Sequence, residues 1–137
     1  MATRLTRTTT LVFALAALAV LAGWSPTALA RQDDDNVATF EMEDLLSRRA
    51  DSGRPYLPFL DRSTLRCGVY VLPAGGEDRQ QPHDSDEVYY VLSGRGSIRV
   101  DGDVRAVAAG SVIYVKAGAD HRFIDIEQEL QLLVFFD

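Results

Sequence analysis

Two stretches of the sequence decide the fold: Gln81–Gly94, QPHDSDEVYYVLSG, and Gly110–Asp125, GSVIYVKAGADHRFID. The chain has two histidines, and each stretch holds one of them, His83 in the first and His121 in the second. The first stretch joins a polar, turn-rich half to a run of β-branched and aromatic residues typical of a strand. Glu87 follows His83 by four residues, so two imidazoles and a carboxylate make a set of metal-ligand types.

The two stretches resemble the two motifs of the cupin family, G-x5-H-x-H-x3,4-E-x6-G and G-x5-P-x-G-x2-H-x3-N. The matching residues are His83, Glu87 and Gly94 in the first motif and Gly110, Gly118 and His121 in the second. Fifteen residues separate the motifs, a short spacing typical of small single-domain cupins. The resemblance covers roughly residues 65–136. It implies an all-β fold, an RmlC-like jelly-roll β-barrel, preceded here by a short helix and an extended arm.

Three positions depart from the motifs: Gln81 replaces the first His, Lys116 the Pro, and Asp125 the final Asn. The resemblance implies a divalent transition metal (Fe, Mn, Zn, Ni or Cu) held by His83, Glu87 and His121. Gln81 is interpreted as an optional fourth ligand, because an amide oxygen is a weaker donor than an imidazole nitrogen. Two imidazoles and one carboxylate leave positions open for water, dioxygen or a chelating substrate.

Two classes of function remain open, because a fold alone does not choose between them. One is a metal-dependent enzyme of the dioxygenase, isomerase or lyase kind. A divalent ion with one carboxylate carries a charge of +1, which favours a small anionic substrate. The other class is a non-catalytic protein that binds a metal or small molecule, or a structural cupin. No catalytic residue is assigned, and the further polar candidates for the cavity are Tyr89, Tyr114 and Asp125.

Other interpretations of the same residues are weaker. His83 as a turn histidine and His121 as a core histidine would be ordinary, but both fall on motif positions and no third histidine exists. A nucleophilic hydrolase would need one of these two, and no G-x-S-x-G sequence is present. The acids around Glu87 lack the D-x-D-x-D-G loop of a calcium site.

Residues 1–30 are predicted to be a signal peptide. Arg4 and Arg7 precede the uncharged apolar run Leu11–Ala22, and Ala28-Leu29-Ala30 is a small-x-small cleavage site. The run is shorter than the roughly 20 residues needed to cross a bilayer, and Pro26 favours cleavage over an uncleaved anchor. We therefore expect a periplasmic or secreted bacterial protein that leaves the membrane after cleavage.

The charge of the mature chain excludes some partners. Removal of Arg4 and Arg7 changes the net charge from −6 to −8. Nucleic acids and anionic membranes need a basic face, so neither is expected as a partner. The expected ligand is a small molecule.

The mature chain is predicted to hold a leader, short helix and arm over residues 31–64 and a cupin domain over residues 65–137. The helix is predicted over Phe40–Arg49 and ends at Gly53, and the arm, Arg54–Asp61, carries two prolines that exclude a central strand. Asp101-Gly102 predicts a two-residue hairpin. The predicted strands are Leu65–Leu72, Val88–Ser93, Gly96–Val100, Val104–Ala108, Ser111–Val115, His121–Ile126 and Leu130–Phe136.

Two of the predicted strands are apolar on both faces, namely the segments Val88–Leu92 and Leu130–Phe136. In a sheet with one solvent-exposed face, apolar and polar residues should alternate along each strand instead. We expect either the segment Phe40–Leu60 or a second subunit to cover the outer face, and predict a homodimer. Cys67 is the sole cysteine, which excludes an intrachain disulfide, and is interpreted as a small buried hydrophobe.

Overall fold

Residues 36–137 of the chain are described by a computed structural model. The predicted signal peptide lies outside them. Helix α1 spans Met42–Ser52, and the strands are β1 (Tyr56–Arg62), β2 (Leu65–Leu72), β3 (Glu87–Val100), β4 (Asp103–Ala108), β5 (Val112–Val115) and β6 (His121–Phe136). Within this part of the chain, no helix is long and apolar enough to cross a membrane. The prediction of an all-β jelly-roll fold with one short helix is confirmed.

The strands pair antiparallel in the order β1-β2-β6-β3-β4, and β5 pairs with the first half of β3. The longest ladder joins β3 to β6 and runs from the pair Glu87–Phe136 to the pair Val100–His121. Its register shifts three times between Val91 and Ser97. Such irregularities bend a strand. The sequence predicts two separate strands on either side of this point, and the structure shows one strand bent there.

Gly94 is the residue at the bend that no other amino acid could replace without strain. Its φ of +88° lies in the left-handed region, which glycine adopts without a steric penalty. A Cβ at this position would also overlap the backbone carbonyl of Glu129 on β6. The closing glycine of the first motif therefore lets the two long strands approach each other where they bend.

The segment before β2 supplies an edge to the sheet. Helix α1 ends at Gly53 (φ +66°), as predicted, and buries Leu45. The arm is extended, as predicted, and forms β1 through pairing with β2. Pro58 lies at a register shift in this pairing, which fits an edge strand because proline cannot donate to the ladder.

The core lies between the inward faces of the rolled sheet. Its fully buried side chains include Tyr89, Val91 and Phe123. Cys67 is buried, as predicted, and lies on the side of β2 opposite to the core residues Tyr70 and Leu72. The predicted hairpin at Asp101-Gly102 joins β3 to β4, and both of its residues have positive φ, as a type I′ turn requires.

The outer face of the sheet is covered in part. Helix α1 contacts β1 and β2, and the outward residues Cys67, Val69 and Val71 of β2 are buried. The outward side chains of β3 and β5 are not covered within residues 36–137: Tyr90, Val112 and Tyr114 are exposed. The segment Phe40–Leu60 thus contacts β2, whereas the apolar outer side predicted for Val88–Leu92 is left with Tyr90 exposed.

Candidate metal centre

His83, Glu87 and His121 come together at one end of the roll. Nε2 of His83 lies 3.0 Å from Oε2 of Glu87, and Nε2 of His121 lies 3.1 Å from the same oxygen. One ligand atom from each residue lies within 4.8 Å of the other two. Two ligands about 2.1 Å from a common ion and at right angles to each other lie about 3.0 Å apart. The separations therefore suit a shared divalent ion.

The roll of the sheet makes this convergence possible. Glu87 begins β3 and His121 begins β6, so the two residues lie at opposite ends of the β3–β6 ladder. Strand β5 joins these ends, because Val115 pairs with Glu87 and a short loop leads from there to His121. In that loop the amide of Gly118 donates to the carbonyl of His83 at 2.8 Å.

A hydrogen bond from Nδ1 to a backbone carbonyl orients each imidazole. Nδ1 of His83 lies 3.1 Å from the carbonyl oxygen of Ser85, and Nδ1 of His121 lies 2.8 Å from that of Ala119. A carbonyl accepts a hydrogen bond, so each Nδ1 carries the proton in the neutral ring and each Nε2 presents its lone pair to Glu87. This is the orientation that metal-bound histidines need.

When both imidazoles are neutral, the lone pairs of His83 Nε2, His121 Nε2 and Glu87 Oε2 face one another with no hydrogen atom between them. Nε2 of His121 is buried and makes no hydrogen bond of acceptable geometry, although Glu87 is close. A buried polar atom without a partner is costly, and a cation among the three donors would satisfy all of them. This observation shows that the side chains present fit a metal ion.

The charge around His121 favours a positive occupant. Burial alone lowers the pKa of His121, but the Glu87 carboxylate, the Ala119 carbonyl and the charge of Asp78 outweigh it, and the pKa is raised above 6.5. In the metal-free protein a proton on His121 therefore competes with a metal for the same site.

Asp78 is a buried residue that the sequence reasoning missed. Its side chain is 2 % exposed. Its carboxylate accepts four hydrogen bonds. The donors are the Tyr70 hydroxyl (2.6 Å), the backbone N–H of Gln80 (3.1 Å), Nε2 of the Gln80 side chain (2.9 Å) and the backbone N–H of Phe123 (2.8 Å). All four partners are donors, which matches an ionised carboxylate. Its signal in the sequence is weak, because the surrounding GGEDRQ is typical of a solvated loop.

A cavity of about 430 Å³ opens beside the two motif-one ligands, His83 and Glu87. Most of its wall is apolar and aromatic, and includes Tyr56, Tyr70, Leu72, Tyr89, Val134 and Phe136. The hydroxyl of Tyr89 donates to Oε1 of Gln80 at 2.9 Å. Burial and then nearby carboxylates raise the pKa of both Tyr70 and Tyr89 far above the ordinary value, so these phenols act as hydrogen-bond donors and not as bases.

The other sequence candidates lie elsewhere. Gln81 is exposed and donates to the Arg79 carbonyl at 3.4 Å; its neighbour Gln80 lines the cavity instead. Tyr114 points outward and donates to Asp86. Asp125, the third polar candidate for the cavity, is exposed and has a φ of +48°. The bend in β6 interrupts the two-residue alternation there, so the expectation for Asp125 is wrong.

Comparison with known proteins agrees with the geometry. The family model described as "Cupin domain" matches residues 68–136. An uncharacterized protein of Streptomyces coelicolor is 44% identical over 97 residues, which cover 71% of this chain and 92% of that protein.

Two solved structures illustrate the similarity in fold. A salicylate 1,2-dioxygenase mutant from Pseudoaminobacter salicylatoxidans, solved in complex with gentisate, matches with a TM-score of 0.61 and 20% identity, over 72% of this chain. This chain spans only 33% of that dioxygenase. An RmlC-like cupin from Shewanella frigidimarina matches with a TM-score of 0.53 and 22% identity, over 59% of this chain and 72% of the other. The chain belongs to the cupin family.

Proposed function

We propose that this protein binds one divalent transition metal ion through His83, Glu87 and His121, and that the ion presents open positions to a small molecule in the adjoining cavity. The observation that carries the proposal is the convergence of two correctly oriented Nε2 atoms on one carboxylate oxygen of Glu87. Gln81 as a fourth ligand stays a prediction.

Within the site, each residue has a separate task. The backbone carbonyls of Ser85 and Ala119 hold the two imidazoles in the orientation that a metal needs. The aromatic wall excludes water from one side of the bound molecule, and the Tyr89 hydroxyl, already directed by Gln80, fixes a polar edge. A bound metal would supply Lewis acidity or access to dioxygen.

Two activities fit this arrangement. In both, the hydroxyls of Tyr70 and Tyr89 act as hydrogen-bond donors, because burial raises the pKa of each phenol. The first is a metal-dependent enzyme of the dioxygenase, isomerase or lyase kind, as the sequence resemblance implies. The second is a non-catalytic binding protein. It is supported by the described cavity lining, in which most of the polar groups other than the ligands are already engaged: Gln80 with Tyr89, Tyr70 with Asp78, and Glu77 with Arg79.

Elemental analysis of the mature protein purified from its native compartment tests the proposal. We expect about one transition metal ion per chain. Absence of metal from native protein, together with failure to take up added metal, would contradict the proposal. Oxygen uptake by the loaded protein with small aromatic and aliphatic chelators then tests for the dioxygenase kind, and product analysis of the same mixtures tests for the isomerase and lyase kinds.

Export is part of the proposal and rests on the sequence of residues 1–30. We infer cleavage after Ala30, which gives a mature chain that starts at Arg31. N-terminal sequencing of protein from the native host tests this, and retention of Met1 on soluble cytoplasmic protein would overturn it.

We also propose that the mature chain is a homodimer. The support is the partly uncovered outer face of β3, β5 and β6. Its side chains are neighbours in the register, since Tyr90 pairs with Val112 and Leu133, and Val88 pairs with Tyr114 and Phe135. Exposed apolar patches of this kind mark interaction surfaces, and a second copy with the same patch would cover both faces at once.

A further inference from the structure

The charge of the site differs from the value that the ligands alone give. A divalent ion with Glu87 would carry +1, but Asp78 is a second buried carboxylate. It is linked to both histidine-bearing segments, through Gln80 on one side and the Phe123 amide on the other. With Asp78 included, the ion and the two buried acids sum to zero.

The rest of the described cavity wall does not restore a positive charge. Arg79 is the one guanidinium among the residues that line it, and Nη2 of Arg79 lies 3.0 Å from Oε2 of Glu77, which also lines it. Both side chains of this pair are largely exposed, so the pair neutralises itself at the mouth. An anion entering the cavity would thus leave water and find no free cationic partner among the lining residues other than the neutralised ion. Arg66 lies against the Phe136 ring outside this lining and donates to Ser85 and to the Asp137 carbonyl.

The shape and chemistry of the wall favour a flat apolar body. Four aromatic rings line the cavity, those of Tyr56, Tyr70, Tyr89 and Phe136. Gly68 makes room for one of them, because a Cβ at Gly68 would overlap the Tyr56 ring. Rings that meet edge to face, as Tyr56 does with Tyr70 and with Phe136, leave flat faces for a planar ligand.

We propose that the cavity selects an uncharged, planar aromatic ligand that offers a neutral oxygen to the metal, and that Asp78 sets this preference by balancing the charge of the ion. The inference rests on the proposed metal site and narrows its ligand class. Asp78 acts through charge and not as a ligand, because its four hydrogen bonds already occupy the carboxylate.

The test compares two planar probes of the same size, benzamide and benzoate, with calorimetry on mature protein loaded with zinc, which is redox-inert. We expect wild-type protein to bind benzamide more tightly than benzoate. The variant Asp78→Asn should shift the ratio of the two dissociation constants about tenfold towards benzoate. Glu77→Gln, which releases Arg79 at the exposed mouth, should shift it in the same direction by less, and it does not disturb the buried network.

Glu43→Gln in the first turn of α1 is the matched control, because it removes one negative charge from a residue that does not line the cavity. It should leave the ratio unchanged. Tighter binding of benzoate than of benzamide to wild-type protein would overturn the proposal. So would an unchanged ratio in both Asp78→Asn and Glu77→Gln, or an equal shift in Glu43→Gln. If neither probe binds while zinc stays at one ion per chain, the ligand class is wrong and the metal site stands; loss of zinc from wild-type protein would instead contradict the metal site.

Discussion

The backbone amide of Phe123 donates a hydrogen bond to Oδ2 of Asp78 at 2.8 Å, across 45 residues of sequence. Asp78 lies in the loop that leads to His83, and Phe123 lies two residues after His121. The contact therefore fixes the distance between the two segments that carry the histidines. A residue that is not a ligand thus holds the ligands in place, as outer partners do in metal sites generally.

Loss of a ligand should remove the metal. We expect His121→Ala to lower metal affinity by at least about 100-fold, because it removes one of three donors and leaves Glu87 buried beside a cavity. Elemental analysis after dialysis against a weak chelator measures this. Asp125→Asn is the control, since Asp125 occupies a motif position but is exposed. Retention of one metal per chain in His121→Ala would place the site elsewhere.

The role of Gln81 can be measured directly. Because its amide is exposed and donates to Arg79, Gln81→Ala should change the metal dissociation constant by less than about threefold. Competition with a fluorescent chelator gives the constant. A loss comparable to that of His83→Ala would show that Gln81 is a ligand.

Gln81→His should tighten binding if the loop can turn that side chain inward, because an imidazole is a better donor than an amide. The same chelator competition measures the change. An unchanged constant would mean that the loop keeps residue 81 outside the site.

The stability of the metal-free protein should depend on pH through His121. Its pKa is raised in the folded state, above about 6.5 in the unfolded chain. The folded state then binds the proton more tightly, so this contribution is complete below about pH 6.5 and is lost as the pH rises through the folded pKa. We expect the melting temperature in chelator to fall across that interval. In His121→Gln this fall should vanish; a melting temperature in wild type that rises over the same interval would contradict the assignment.

The bend at Gly94 should be costly to disturb. Gly94→Ala combines a left-handed φ with overlap against Glu129, and we expect a loss of stability on the order of 3 kcal/mol. Gly110→Ala is the matched control, because Gly110 has a φ of +89° but nothing within 4 Å of the place that a methyl group would take. Urea denaturation compares the two. Equal losses would show that the close approach of the strands contributes nothing.

If the protein is a homodimer, its oligomeric state should be sensitive to a charge placed in the outer face of β5. Light scattering should give twice the chain mass at micromolar concentration, and Val112→Asp should give a monomer, because it places a charge in the apolar face. Val37→Asp is the matched control, with 76% exposure against 70% for Val112 and a position outside the sheet. A monomeric wild-type protein would refute the dimer.

The resemblance to the two cupin motifs predicted that His83, Glu87 and His121 form one group, whereas local spacing alone relates only His83 to Glu87, four residues apart. Periodicity predicted the burial of Cys67, and turn chemistry predicted the exposed hairpin at Asp101-Gly102. The position of Asp125 was predicted wrongly, since the alternation of side chains holds only along a regular strand and the bend in β6 interrupts it. The burial of Asp78 was not predicted for another reason: in an irregular loop, no sequence pattern distinguishes a buried carboxylate from a solvated one.

The meeting of Glu87 and His121 has a kinetic consequence. Thirteen residue steps separate them along the β3–β6 ladder, which would span about 43 Å in a flat sheet. A metal ion held by both residues would link the start of β3 to the start of β6 and so keep the sheet rolled. Unrolling would require the ion to leave first, so amide hydrogens in β3 and β6 should exchange at a rate set by metal release.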